Sequence, residues 1–127
     1  DAQESRGLGD VYKRQHPRLK EIAAALRADP ADRSTVAEWG RRLAMSERTL
    51  ARLVQQEVGM SFGRWRQQMH IVMALQRLSS GVSVQRTAED LGYESVSAFI
   101  TMFRKALGQT PARYFSDKAE ERGAMQA

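Results

Sequence analysis

The sequence contains two copies of one short pattern, and this repeat limits the folds that the chain can adopt. The first copy is residues 40–46 (GRRLAMS) and the second is residues 88–95 (AEDLGYES). Each has a small residue, two polar residues, a leucine, a small turn residue, an apolar residue and a serine, and the second has one extra residue in its turn. Serine is a strong helix N-cap, and two helices joined by a tight turn form a helix-turn-helix unit. The repeat therefore predicts two such units, with Gly92 at positive φ in the second turn and Ala44 a poorer fit in the first.

The correspondence continues after each serine. Matching positions are Leu50 and Phe99, Val54 and Phe103, and Gly59 and Gly108. In each copy the apolar pair is spaced four residues apart, which places both side chains on one face of a helix. The alternative is an ordinary helical bundle, because such bundles also contain short helix pairs with small residues at their turns.

Helical periodicity and capping residues predict an all-α, seven-helix domain with two helix-turn-helix units joined by a long linking helix. The predicted helices begin at Pro17, Val36, Ser46, Ser61, Ser83, Ser95 and Pro111; the fourth, ending near Leu78, is the linking helix, and the seventh is short. Thr35 and Glu38 have the spacing of a capping box at the second helix, and Gly59 is placed to end the third in the left-handed conformation. Residues 1–15 show no period and are predicted to be a leader or linker. Residues 16–115 are predicted to form one compact domain, and the polar residues 116–127 a flexible tail.

Composition excludes several classes of function. The chain has 20 basic and 15 acidic residues, a net charge of +5 that favours polyanionic partners. Cysteine is absent, and His16 and His70 are the only histidines, so no catalytic triad, metal-ligand set or cofactor motif is present in the sequence. We therefore expect a protein that is neither an enzyme nor dependent on a cofactor. Since no apolar run approaches the roughly 20 residues of a membrane span, a cytoplasmic location is expected.

Residues 87–99 (TAEDLGYESVSAF) resemble the signature of the AraC/XylS family of bacterial transcription regulators. The resemblance continues through Phe103-Arg104-Lys105, Gly108, Thr110-Pro111 and Tyr114-Phe115, and residues 45–53 (MSERTLARL) are similar to the family's first recognition helix. It implies sequence-specific binding of double-stranded DNA and transcription regulation. In such a domain the two recognition helices enter successive major grooves on one face of the DNA, which recur every ~34 Å.

The resemblance also implies which residues contact DNA. The base-contacting positions are Arg48, Thr49, Ala51 and Arg52 on the first recognition helix, and Val96, Ser97, Ile100 and Thr101 on the second. The expected phosphate contacts are Ser46, Ser95, Arg104, Lys105 and Arg113. Because arginine can bridge O6 and N7 of guanine, and the second set has no arginine, sequence discrimination is predicted to reside mainly in the first unit. The alternative is that Arg48 and Arg52 are solvated, or pair with Glu47 or Glu57.

Other apolar and aromatic residues are predicted to form the core. The set comprises Trp39, Phe62, Trp65, Met69, Val72, Met73, Tyr93, Phe99 and Phe103. His70 stands where the family commonly has arginine and therefore departs from the family pattern; it is either a surface or a core residue.

Two partners besides DNA follow from the resemblance. RNA polymerase is one, and a sensor or dimerisation domain preceding this region is the other, with a small stand-alone activator as the alternative arrangement. A helical protein-interaction adaptor without DNA binding is the competing function, because buried leucines and a basic surface serve it equally well.

Overall fold

A computed structural model of the chain describes residues 16–126, which contain seven α-helices and no β-strand. The helices are α1 (Pro17–Ala28), α2 (Val36–Arg42), α3 (Glu47–Val58), α4 (Phe62–Ser79), α5 (Val84–Asp90), α6 (Val96–Leu107) and α7 (Pro111–Gln126). The predicted all-α class and the order of the helices are confirmed. The predicted leader, residues 1–15, lies outside the described residues, and no described helix is long and apolar enough to cross a membrane.

The described chain divides into two compact units, residues 16–66 and residues 67–126. The first contains α1, α2, α3 and the start of α4, and the second contains the rest of α4 with α5, α6 and α7. Each unit therefore holds one of the two helix-turn-helix copies. The prediction of one domain over residues 16–115 stays a prediction.

Side-chain caps set where the helices of the first unit begin and end. The imidazole Nδ1 of His16 accepts a hydrogen bond from the Arg18 amide before Pro17 opens α1. At α2 the Thr35 hydroxyl accepts from the Glu38 amide (3.1 Å) and the Glu38 carboxylate accepts from the Thr35 amide (3.2 Å), which is the predicted capping box. Gly59 ends α3 in the left-handed conformation, with φ of 82°.

The two turns share one backbone hydrogen-bond pattern, as the repeat predicts. The Met45 amide donates to the Gly40 carbonyl at 2.8 Å, and the Tyr93 amide donates to the Ala88 carbonyl at 2.9 Å. The turn residues Ala44 and Gly92 both have positive φ, 57° and 80°. The prediction of a left-handed Gly92 is therefore confirmed, and Ala44 adopts the same region despite its side chain.

The apolar residues that the repeat aligns fill the centre of each unit. Leu50 and Val54 in α3, and Phe99 and Phe103 in α6, are completely buried. In the second unit the rings of Tyr93, Phe99, Phe103, Tyr114 and Phe115 follow one another in tilted or edge-to-face contacts, with centroids 5.2–6.0 Å apart. These contacts join α6 and α7 to the turn before α6.

Two sequence predictions need correction. Val72 was predicted to lie in the core but is 52% exposed, because its neighbours Ile71, Met73 and Ala74 occupy the inward positions of α4. The seventh helix was predicted to be short, but α7 continues through Gln126, so the described part of the predicted tail is helical. Its flexibility stays a prediction.

Candidate nucleic-acid interface

Helix α3 has one buried side and one exposed side. Leu50 and Val54 lie in the core, whereas the four residues predicted to contact bases on this helix are all exposed: Arg48, Thr49, Ala51 and Arg52. We call these four residues the α3 face. Arg48 and Arg52 are one helical turn apart, so their side chains extend from the same side of α3. The face offers two long cationic groups with a small apolar residue between them.

The two arginines of the α3 face have no protein partner within residues 16–126. Neither forms an ion pair or hydrogen bond there, so the alternative in which they pair with Glu47 or Glu57 is not realised. Each guanidinium has five N–H donors, which are consequently available to an external acceptor. Such an acceptor need not displace an existing ion pair.

The hydroxyl groups at the start of α3 are already engaged. Ser46 Oγ accepts from the Thr49 amide at 3.1 Å, and it donates to Thr49 Oγ1 at 2.8 Å. The predicted phosphate contact of Ser46 and base contact of Thr49 would therefore involve groups that also cap the helix. These bonds fix the start of α3, which carries the positive end of the helix dipole.

Helix α6 presents a different surface. Of the four residues predicted to contact bases there, Ser97 and Thr101 are exposed, whereas Val96 and Ile100 are half-buried and pack against the core of the second unit. We call Val96, Ser97, Ile100 and Thr101 the α6 face. Its outward groups are short, and the prediction that α6 is the weaker reader stays a prediction.

Basic residues follow the α6 face at the end of the helix. Arg104 and Lys105 are exposed in its last turn, and with Ile100, Thr101 and Gly108 they line a shallow concavity of about 370 Å³. Ser95, another predicted phosphate contact, caps α6 by accepting from the Ala98 amide at 3.0 Å. The structure therefore brings four predicted contact residues, Ile100, Thr101, Arg104 and Lys105, together on one concave surface.

Arg113, the remaining predicted phosphate contact, has a partner in the protein. Its Nε lies 3.3 Å from Asp117 Oδ1, one turn further along α7. Exposed pairs of this kind contribute little free energy, so a phosphate could replace the carboxylate at small cost. The contact stays a prediction.

His70 is a core residue. It is 3% exposed, its Nδ1 lies 3.2 Å from the Tyr93 hydroxyl, and the two rings meet edge to face. The contact joins α4 to the turn that precedes α6. His70 therefore supports the second turn from inside the unit.

Sequence reasoning missed a polar network in the first unit. The Arg42 guanidinium donates to Ser34 Oγ at 2.7 Å and lies 3.4 Å from Asp32 Oδ2, and Arg66 donates to the Ser34 carbonyl at 2.7 Å. The pKa of Asp32 lies below its ordinary value, first because of a side-chain hydrogen bond with Ser34 and further because of the Ser34 amide and Arg42, while burial opposes the shift. Arg66 and Ser34 are 32 residues apart, so no local pattern reveals their contact.

Acidic residues and histidines do not gather into a metal site in the part of the chain that the structure describes. A concavity of about 660 Å³ lies between the second half of α4 and α7 and is lined by Leu75, Leu78, Tyr114 and Phe115 among others. It contains none of the predicted contact residues. The predicted base contacts lie on the α3 and α6 faces instead.

The chain is similar to known helix-turn-helix proteins. The family described as a helix-turn-helix domain matches residues 39–117, which is more than half of the chain. The transcriptional regulator NimR of Escherichia coli K12 is 48% identical over 101 residues, and the regulator GadX of Escherichia coli O6:H1 is 36% identical over 88 residues. These matches cover 80% and 68% of this chain but only 37% and 32% of those two regulators.

Solved structures show the same architecture. The DNA-binding domain of the global transcriptional factor AdpA, determined in complex with a target DNA, has a TM-score of 0.72 and 28% identity. A DNA-binding transcriptional dual regulator from Escherichia coli K-12 has a TM-score of 0.70 and 29% identity. Each comparison covers 84% of this chain and 96% of the other.

Proposed function

The chain belongs to the AraC-type helix-turn-helix family, and from this premise we propose that it binds specific sequences of double-stranded DNA and thereby regulates transcription. The observation that carries the proposal is the α3 face. It combines a helix anchored by Leu50 and Val54 with two exposed arginines that have no partner among residues 16–126. A family of DNA-binding regulators also makes this chain a binding module and not an enzyme.

The α3 face is the principal reader of sequence in this proposal. Arg48 and Arg52 each donate two parallel hydrogen bonds to O6 and N7 of a guanine, and Ala51 contacts a thymine methyl group. The side chain of Thr49 lies beside them and completes the base-contacting set.

The α6 face reads a second, less sharply defined segment of the site. Ser97 and Thr101 make single hydrogen bonds, and Val96 and Ile100 offer apolar contacts that distinguish bases weakly. Arg104, Lys105 and Arg113, with Ser46 and Ser95, contact phosphates and set the register of the protein on the duplex. The two recognition helices occupy successive major grooves.

The full regulator has further parts and partners in this proposal. Support comes from the relatives, which are transcriptional regulators of which this chain spans about a third. A sensor or dimerisation domain accompanies the present region, RNA polymerase is the transcriptional partner, and the regulator acts in the bacterial cytoplasm, where it meets DNA.

A gel-shift titration at several salt concentrations tests DNA binding. If Arg104, Lys105 and Arg113 each neutralise one phosphate, a fourfold rise in salt lowers the affinity roughly fortyfold. An excess of unrelated duplex should compete poorly with the preferred site at each salt concentration. A chain that binds no duplex, or binds it without salt dependence, would instead support the helical protein-interaction adaptor.

A further inference from the structure

We propose that Arg42 and Arg66 are positioning residues for the α3 face, acting as a clamp that closes on Ser34. The functional part of this inference rests on the proposed DNA binding. The clamp comprises Asp32, Ser34, Arg42 and Arg66, all within the first unit. None of these residues belongs to the predicted set of DNA contacts.

Both arginines are held in the same way. The Arg42 Cζ lies 4.4 Å from the centre of the Trp39 ring, and the Arg66 Cζ lies 5.0 Å from the centre of the Phe62 ring. Trp39 and Phe62 are themselves buried, so each ring fixes the guanidinium that lies over it. The ring contact holds each guanidinium in the orientation in which it donates to Ser34.

Ser34 receives the two arginines at different atoms. Arg42 donates to the hydroxyl oxygen and Arg66 to the backbone carbonyl, both at 2.7 Å. Ser34 is buried, and its own amide donates to Asp32 Oδ1 at 2.8 Å. Bonds to charged donors at a buried acceptor are stronger than neutral surface bonds, so the site holds the two arginines at a fixed separation.

The clamp connects the two helices that flank the recognition helix α3. Helix α3 is joined to α2 by the tight turn in which the Met45 amide donates to the Gly40 carbonyl, and to α4 by Gly59 and the short segment that Ser61 caps. Arg42 is the last residue of α2 and Arg66 lies in the first turns of α4. Because Ser34 binds both, the two elements that support the ends of α3 are also connected directly. We infer that this connection sets the orientation of Arg48 and Arg52.

Variants that keep the positive charge separate the effect of losing the clamp geometry from the effect of losing a charge near the DNA. Arg42→Lys keeps the charge but cannot donate in parallel to Asp32 and Ser34 from one planar group. Arg41→Lys, at the adjacent exposed residue outside the clamp, is the matched control. Ser34→Ala removes the hydroxyl that accepts from Arg42 and also hydrogen-bonds Asp32, and it provides a second test if Arg42→Lys folds poorly.

Two measurements are needed. The first is the ratio of affinities for the preferred duplex and for random duplex of equal length. Arg42→Lys and Ser34→Ala should lower this ratio about fivefold, which is the equivalent of one lost hydrogen bond. Arg41→Lys should leave the ratio unchanged. The salt dependence of binding should be the same in all variants. The second is amide hydrogen exchange in the protein without DNA, where exchange should accelerate in residues 47–61 but not in α6.

The clamp is contradicted if Arg42→Lys and Ser34→Ala retain both the wild-type ratio of affinities and the wild-type rates of amide exchange. It is also contradicted if exchange rises equally in α3 and α6, because that result would indicate a general loss of stability. If the wild-type protein itself does not distinguish the two duplexes, the proposed function fails. Exchange in the free protein then still decides whether the clamp holds α3.

Discussion

Gly40 and Met45 approach so closely that a side chain at position 40 has no space. The Met45 amide donates to the Gly40 carbonyl at 2.8 Å, and a Cβ atom on Gly40 would lie 2.6 Å from the Met45 carbonyl oxygen. Both contacts involve backbone, which cannot rotate away as a side chain can. The second turn, which is one residue longer, accommodates the methyl group of Ala88 at the corresponding position.

Gly40→Ala should therefore lower the free energy of unfolding by about 1–3 kcal/mol, because the turn between α2 and α3 must shift to admit the methyl group. Urea unfolding followed by circular dichroism measures the change. Gly63→Ala is the control, since a Cβ at Gly63 meets no atom within 4 Å. Equal stability of the two variants would show that the turn yields without cost.

Ala44→Gly should stabilise the protein. Ala44 has φ of 57° and is exposed, so glycine relieves the left-handed conformation without loss of packing. That relief is worth about 1–2 kcal/mol, of which the greater freedom of glycine in the unfolded chain cancels about 0.5–1 kcal/mol. Gly92→Ala, at the corresponding position, should destabilise. Thermal unfolding of both variants checks the prediction, which fails if their melting temperatures shift in the same direction.

Arg48→Ala and Arg52→Ala should each weaken binding to the preferred duplex by about 1–3 kcal/mol and relax base preference at particular positions. Binding to random duplex should change less, because phosphate contacts dominate there. Competition gel shifts with single-base variants of the site measure both effects. Equal losses on preferred and random duplex would mean that the arginines contact only phosphate, and unchanged binding would remove them from the interface.

Stability should fall in acid because two carboxyl groups have lowered pKa values. The pKa of Asp32 lies below its ordinary 3.8 through hydrogen bonding by Ser34, and the pKa of Glu38 lies below its ordinary 4.5 through hydrogen bonding by the Thr35 amide and hydroxyl. A lowered folded-state pKa stabilises the fold above the unfolded-state value, and this contribution is lost as pH falls through the folded-state value.

Urea unfolding between pH 6 and pH 2.5 tests this dependence. The free energy of unfolding should begin to fall near pH 4.5, and the combined variant Asp32→Asn, Glu38→Gln should show a shallower decline. An identical decline in the variant would assign the acid sensitivity to other carboxyl groups.

The features predicted correctly from sequence are those set by local chemistry. The Thr35–Glu38 capping box, the Ser46 and Ser95 caps and the left-handed Gly59 depend on residues within a few positions of each other, so their spacing is sufficient to predict them. The buried Phe99 and Phe103 followed from helical periodicity in the same way.

Helical periodicity does not determine which elements pack against each side of a helix, and the features that were wrong or missed depend on that packing. Val72 is apolar and lies at a plausible core spacing, but the inward face of α4 passes through Ile71 and Ala74 instead. The contact between Arg66 and Ser34 joins distant segments, and its donor is an arginine, a residue type that usually lies in solvent.

Selection of bound duplexes from a random pool tests sequence-specific DNA binding most directly. We predict an enriched site with one sharply defined half containing guanines read by Arg48 and Arg52, and a second, weaker half about one helical turn away. Two equally sharp halves would contradict the assigned difference between the α3 and α6 faces. Recovery of duplexes with no common sequence would contradict specific DNA binding itself.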